Sequence, residues 1–274
     1  MGWTYLGILL LISALLCVVG FYRYVYFLSI GYGFAVAGIG ITLAVMGVMG
    51  IFEADITLYL LCGLLVIYGV RLSGFLLLRE IKSVAYRNTM KNVVVDESKM
   101  PIFVKFMIWV SVSVLYVGQT CPVFYRIYNG QTSKGFGWAA IIICILALIL
   151  ESVADIQKTN QKKERPDMVA MKGLYKIVRC PNYLGEILFW TGIFVSGFGL
   201  FKGPGQWILA GISYICIVYV MFNGAQRLEK RQMKRYGDNE EYIKYADNTP
   251  ILLPLLPIYH LNSRKEVKYE TGNL

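Results

Sequence analysis

Runs of about twenty apolar residues constrain this chain more than any other feature. Coiled at about 1.5 Å per residue, such a run crosses the roughly 30 Å hydrocarbon core of a bilayer. Lipid offers no partner to a backbone N–H or C=O, so each run must satisfy its own and fold as a helix. The runs fall at about Trp3–Gly20, Leu28–Phe52, Ile56–Leu78, Phe106–Tyr125, Trp138–Val153, Cys180–Phe201 and Gln206–Phe222. They predict an all-α, polytopic integral membrane protein with about seven transmembrane helices. With 57% apolar and 16% charged residues, an ordinary soluble domain is excluded. The first run lacks a basic leader and a small-residue cleavage site, so it reads as a retained span rather than a signal peptide.

The charges sort with the same pattern. Residues 79–105 carry six Lys/Arg, residues 157–181 carry seven, and the tail from Ala225 carries nine, together 22 of 27. With seven spans these stretches share one side, whereas the opposite loops hold only Arg126, Lys134 and Lys202 beside Glu53 and Asp55. The positive-inside rule then predicts a cytoplasmic carboxyl end and an outer amino end. The net charge of +10 is thus explained by topology, and no nucleic-acid partner is expected. One transmembrane domain is expected over residues 1–258, followed by a polar tail at 259–274.

Cofactor chemistry is narrowed by what the chain lacks. Six cysteines lie in or beside apolar runs without metal-ligand spacing and read as free thiols. His260 is the only histidine, which argues against a histidine triad, a zinc site or paired-histidine haem ligation. No Gly-x-Gly-x-x-Gly motif or strand–helix alternation is present, so a Rossmann site is excluded.

Three polar groupings stand out against the apolar background. Pro181 suits the first turn of a helix, which places Asn182 and Glu186 on one face with Tyr183 and Trp190 near the same stripe. A carboxylate one turn inside a membrane helix costs a few kcal/mol unless it meets a partner or a polar cavity. Glu186 is therefore a candidate, the alternative being an interfacial carboxylate that stays in water. Glu151, Asp155, Lys158 and Lys162 form a second helical face, readable also as a solvated helix end with two weak ion pairs. Arg71 lies within the third span and needs a carboxylate, carbonyl or phosphate; Tyr68 is one turn away. The tail from Ala225 reads on its own as a basic amphipathic helix on anionic lipid.

The stretch GLYKIVRCPNYLGEILFW resembles the signature of the membrane-embedded steroid 5α-reductase superfamily, in particular its bacterial reductase-like branch. Gly173, Leu174, Tyr175, Arg179, Pro181, Asn182, Tyr183, Gly185, Glu186 and Trp190 match, while Val178 and Cys180 replace the usual Ser and His. Isoprenylcysteine-type methyltransferases share the Arg-x-Pro-Asn-Tyr core. The reductase branch adds the pattern found here as Glu151, Ala154, Asp155, Gln157 and Lys158. Tyr68, Gly69, Arg71 and Leu72 resemble the family pattern of the third span. Gly224, Leu228, Glu229, Lys230, Tyr242, Tyr245, Thr249, Pro250 and Pro254 resemble its closing segment. The resemblance covers roughly residues 60–258.

It implies an NADPH-dependent reductase acting on the C=C bond of an enone lipid such as a 3-oxo-Δ4-steroid, in the inner membrane of a bacterium. The cofactor cavity would open to the cytoplasm under the C-terminal segment. Cofactor ligands implied are Glu151, Asp155, Lys158, Lys162, Arg179, Asn182, Tyr183, Glu186 and Arg71, with Glu229, Arg227, Tyr242 and Tyr245 in second rank. Arg165, Lys172 and Lys176 add cations for phosphates. Tyr68 would donate to the substrate ketone, with Gln119, Tyr32 and Trp190 on the substrate side. Expected partners are a lipophilic small molecule and membrane lipids, with no metal. The acidic partner expected beside the tyrosine is not placed, because Glu53 and Asp55 fall on the outer side. Two rival classes are an S-adenosylmethionine-dependent membrane methyltransferase and a non-enzymatic lipid-binding protein.

Overall fold

The computed structural model describes residues 2–82, 100–130 and 134–262. The basic stretch at 79–105 and the polar tail fall partly outside them. Among the described residues the chain is α-helical with no strand. The helices are α1 Gly2–Cys17, α2 Ile30–Val48, α3 Ile56–Lys82, α4 Ile102–Tyr128, α5 Lys134–Glu164, α6 Pro181–Ser196, α7 Pro204–Tyr236 and α8 Glu240–Asn248. Among the described residues six are long and apolar enough to cross a membrane: α1 with the turn that follows it, α2, α3, α4, α5 and α7.

The expected sixth span is shorter than its hydropathy. α6 has 16 residues, a rise of about 24 Å, less than a full hydrocarbon core. Apolar residues continue to Phe201, but glycines end the helix. Gly197 lies against the Phe201 ring, and Gly199 and Gly203 take positive φ values of 76° and 82°. The buried Arg126 guanidinium then donates to the Ser196 carbonyl at 3.3 Å, a cation at the negative end of the helix. Hydropathy is blind to both effects.

The chain forms two compact units. The first comprises residues 1–142 and 192–214. Its α2–α3 seam is built on small residues. A Cβ on Gly33 would lie 2.5 Å from the Gly69 carbonyl oxygen, and one on Gly40 would lie 2.9 Å from that of Cys62. Backbones approach this closely only where side chains are absent, the usual device of packed membrane helices. Ser73 Oγ donates to the Ile30 carbonyl across the same seam at 2.7 Å. Trp109 Nε1 donates to Ala14 at 2.8 Å and ties α4 to α1.

The second unit comprises residues 143–191 and 215–274. Its loops are held by side chains of α5. Gln161 Oε1 accepts from the Met171 and Lys172 N–H groups at 2.9 and 2.8 Å. Gln157 Oε1 accepts from Leu174 N at 2.8 Å, next to Gly173, whose φ of 68° favours glycine. Asn239 caps α8 by accepting from Tyr242 N at 3.2 Å. Just before α6, Arg179 N and Cys180 N donate to the Pro250 and Ile251 carbonyls at 2.9 and 3.0 Å. The chain end thereby satisfies amides at the mouth of the helix.

Candidate functional site

In the second unit the structure brings together residues from both motif stretches. Asn182, in the first turn of α6, donates through Nδ2 to Asp155 Oδ1 on α5. Its Oδ1 accepts from the Tyr175 hydroxyl at 2.9 Å, which also lies 3.3 Å from the Ala154 carbonyl. The Tyr175 carbonyl accepts in turn from the Tyr245 hydroxyl at 2.7 Å. One cluster thus joins α5, the 173–176 turn, α6 and α8. Burial, then the nearby Asp155 charge, pushes the Tyr175 phenol far above its ordinary range, so at neutral pH it is a donor only as the neutral group.

One turn along α6, Glu186 is buried and accepts from Trp190 Nε1 at 3.2 Å. Trp190, which the resemblance puts on the substrate side, thus has its indole N–H on Glu186. Glu151 is buried on α5 where Gly185 leaves room, and a Cβ on Gly185 would lie 2.3 Å from Glu151 Cγ. Tyr183 lies half-buried with its ring against Gly224. Lys158 is exposed, and Lys162 Nζ reaches the Pro166 carbonyl at 3.3 Å and the Tyr236 hydroxyl at 3.1 Å.

Arg179 is the buried cation of this unit. Its Nη2 donates to Glu229 Oε1 at 2.7 Å and also to the Tyr259 carbonyl. Nε and Nη1 are shielded from solvent and reach no acceptor among the described residues. The buried Tyr242 hydroxyl also has no hydrogen-bond partner among the described residues. It lies close enough to Arg179 for the guanidinium to act on it both as a charge and as a neighbouring donor. Burial pushes the Tyr242 phenol up to about 12, the Arg179 charge opposing the shift.

Glu229 has a full complement of partners. Oε1 also faces His260 Nδ1 at 3.0 Å, and Oε2 accepts from Leu261 N, Asn262 N and Asn262 Nδ2 at 2.8, 3.0 and 2.9 Å. His260 Nε2 lies 2.8 Å from Asp247 Oδ1. Residues 259–262 are therefore held against Arg179 and Glu229; residues 263–274 lie outside the described residues. Arg227 is exposed. Spacing did not single out Tyr175, Asp247 or His260. Tyr175 was visible only as the aromatic of the Gly-Leu-aromatic start, while the other two depend on how the chain end folds back.

The first unit holds Tyr68, Tyr32, Gln119 and Arg71. The Tyr68 hydroxyl donates to that of Tyr32 at 2.9 Å, and both residues are buried. The Tyr32 ring stacks on Tyr116 with centroids 4.7 Å apart, and the Tyr116 hydroxyl donates to the Phe27 carbonyl at 2.6 Å. Gln119 follows Tyr116 by three residues on α4. It is buried, and neither amide atom has a hydrogen-bond partner among the described residues. Arg71, one turn from Tyr68 on α3, is half-buried.

A family model described as a protein of unknown function, DUF1295, matches residues 33–249. The chain belongs to that family. Among curated proteins and among solved structures, no match is found.

Proposed function

We propose that this protein is an NADPH-dependent membrane reductase that delivers hydride to the C=C bond of an enone lipid. The observation that carries the reading is the Asp155–Asn182–Tyr175 cluster, which unites the two stretches bearing the 5α-reductase resemblance. The family match covers both stretches.

The residues of the second unit suit a dinucleotide. A buried guanidinium with unfilled N–H groups beside an unpartnered phenol matches the chemistry of a phosphate oxygen. Arg179 would hold such a group while Glu229 fixes its orientation. Lys158 and Lys162 add positive charge, and Asp155 and Asn182 supply an acceptor and an amide for ribose or carboxamide groups. NADPH, when bound, supplies the hydride. The resemblance also gives Tyr68 the substrate ketone: its hydroxyl would donate a hydrogen bond to that oxygen instead of to Tyr32 and so stabilise negative charge developing there, while the α-carbon takes its proton from water. A phenol is neutral at pH 7 and carries no desolvated charge.

We also infer that the basic face of this unit lies on the cytoplasmic side of the membrane. Its two basic stretches lie together, since Lys162 meets Tyr236 and Arg165 pairs with Glu241 through two bonds of 2.9 Å. The positive-inside rule puts such a face in the cytoplasm.

Calorimetric titration of the detergent-solubilised protein tests the cofactor. NADPH should bind, and Asn182→Ala and Glu186→Gln should weaken that binding while the protein stays folded. Binding of S-adenosylmethionine with no response to NADPH would move the protein to the methyltransferase class. Unaltered NADPH affinity in both variants would remove these residues from the site.

A further inference from the structure

We propose that the loop Ile251–Ile258 is a lipid-interface anchor, whose tip Pro254–Pro257 inserts into the bilayer that holds the helices. The loop is closed at its base by Ile251 N donating to the Ile258 carbonyl at 2.8 Å. Its four tip residues are all exposed and all apolar, and Leu255 is 93% exposed, more than any other large hydrophobic residue described. An aqueous setting gives no reason for such a tip.

The tip is also prepared for lipid in its backbone. Pro254 and Pro257 have no N–H, so only Leu255 and Leu256 carry donors there. That of Leu256 already bonds the Leu253 carbonyl at 3.3 Å. The Leu256 carbonyl accepts from Ile258 N at 2.7 Å, so few donors would lose water on insertion, and the remaining carbonyls can face the headgroups.

The level of the base identifies the occupant. On one side it pairs with Arg179 and Cys180, immediately before the apolar helix α6. On the other, Ile251 and Leu252 pack in a cluster with Val218, Met221 and Phe222 of α7. Those are the last residues of the α7 apolar run before Asn223, Gln226 and Arg227. Both contacts set the base where the helices pass from apolar to polar sequence, at the height of lipid headgroups. Exposed Arg227 and Lys230 lie just beyond and complement anionic lipid. The bilayer is therefore the occupant, and the inference stands whether or not the protein is a reductase.

An environment-sensitive nitrobenzoxadiazole label on Leu255→Cys or Leu256→Cys, with Asp238→Cys as an exposed comparison, tests this. The proteins are reconstituted in phosphatidylcholine–phosphatidylglycerol vesicles, and labelled unsubstituted protein serves as the blank for Cys216. Labels at 255 and 256 should emit at shorter wavelength than at 238 and lose most of their emission to nitroxide-bearing lipids. Water-like emission insensitive to those lipids at both positions would overturn the proposal. So would short-wavelength emission that nitroxide lipids leave intact, since the tip would then be covered by protein, a second copy included.

Discussion

Tyr68 and Tyr32 exchange a hydrogen bond of 2.9 Å inside the first unit, and removal of one hydroxyl leaves almost the same volume. Tyr68→Phe should therefore keep the fold. Under the proposed reading it should slow enone reduction by about 10²-fold or more, as the loss of an oxyanion donor does. Steady-state rates with parallel NADPH titration check this, and an unchanged rate assigns the donor elsewhere, with Tyr32 and Gln119 next. Cys180 shows the opposite behaviour to a reactive thiol. It is buried in a cluster with Ile187, Ala225, Ile251 and Leu252, an apolar setting that disfavours a charged sulfur and keeps reagents out. The nucleophile is the thiolate, so Cys180 should resist iodoacetamide at pH 8 in the folded protein. Peptide mass spectrometry after alkylation reads this out, and rapid modification would contradict the burial.

At the scale of elements, the approach of α6 to α5 hangs on one missing side chain. A Cβ at Gly185 would fall 2.3 Å from Glu151 Cγ and 3.3 Å from the Ala147 carbonyl oxygen. Gly185→Ala should destabilise the protein by about 1–3 kcal/mol, the usual range for overpacking. Gly211 on α7 is the control, because nothing lies within 4 Å of a Cβ there. Gly211→Ala should be neutral or stabilise by up to about 1 kcal/mol through helix propensity. Thermal unfolding of both variants in detergent should lower the midpoint for the first and not for the second. A midpoint unchanged by Gly185→Ala would show that Glu151 can move aside freely.

For the whole molecule, the second unit depends on phenols kept neutral. Burial raises Tyr175, Tyr242 and Tyr245, with Tyr242 at about 12. A tyrosine whose pKa is higher folded than unfolded contributes stability that is complete below the unfolded value of about 10 and lost as pH rises through the folded one. The protein should thus lose stability between about pH 10 and 12, the ultraviolet signal of these tyrosinates appearing only as it unfolds. Tyr242→Phe should reduce the steepness of that loss. Ionisation of all tyrosines near pH 10 with the helices intact, seen by circular dichroism, would contradict the burial.

Apolar length and the placement of charge determined, from sequence alone, that the chain is helical and membrane-spanning. Both are local properties of a segment in lipid, where each helix satisfies its own backbone. Spacing also set Asn182 and Glu186 on one face of a helix, because 3.6 residues per turn is a property of one helix. It did not say what that face meets. Asn182 finds Asp155 27 residues away, and Glu229 gathers Arg179, His260 and Asn262 from across its unit. The end of α6 at Ser196 was likewise set by a positive-φ turn and by Arg126, 70 residues distant. Such pairings follow from which helix faces touch, and hydropathy, which treats each residue as an isolated solute, holds no record of that choice.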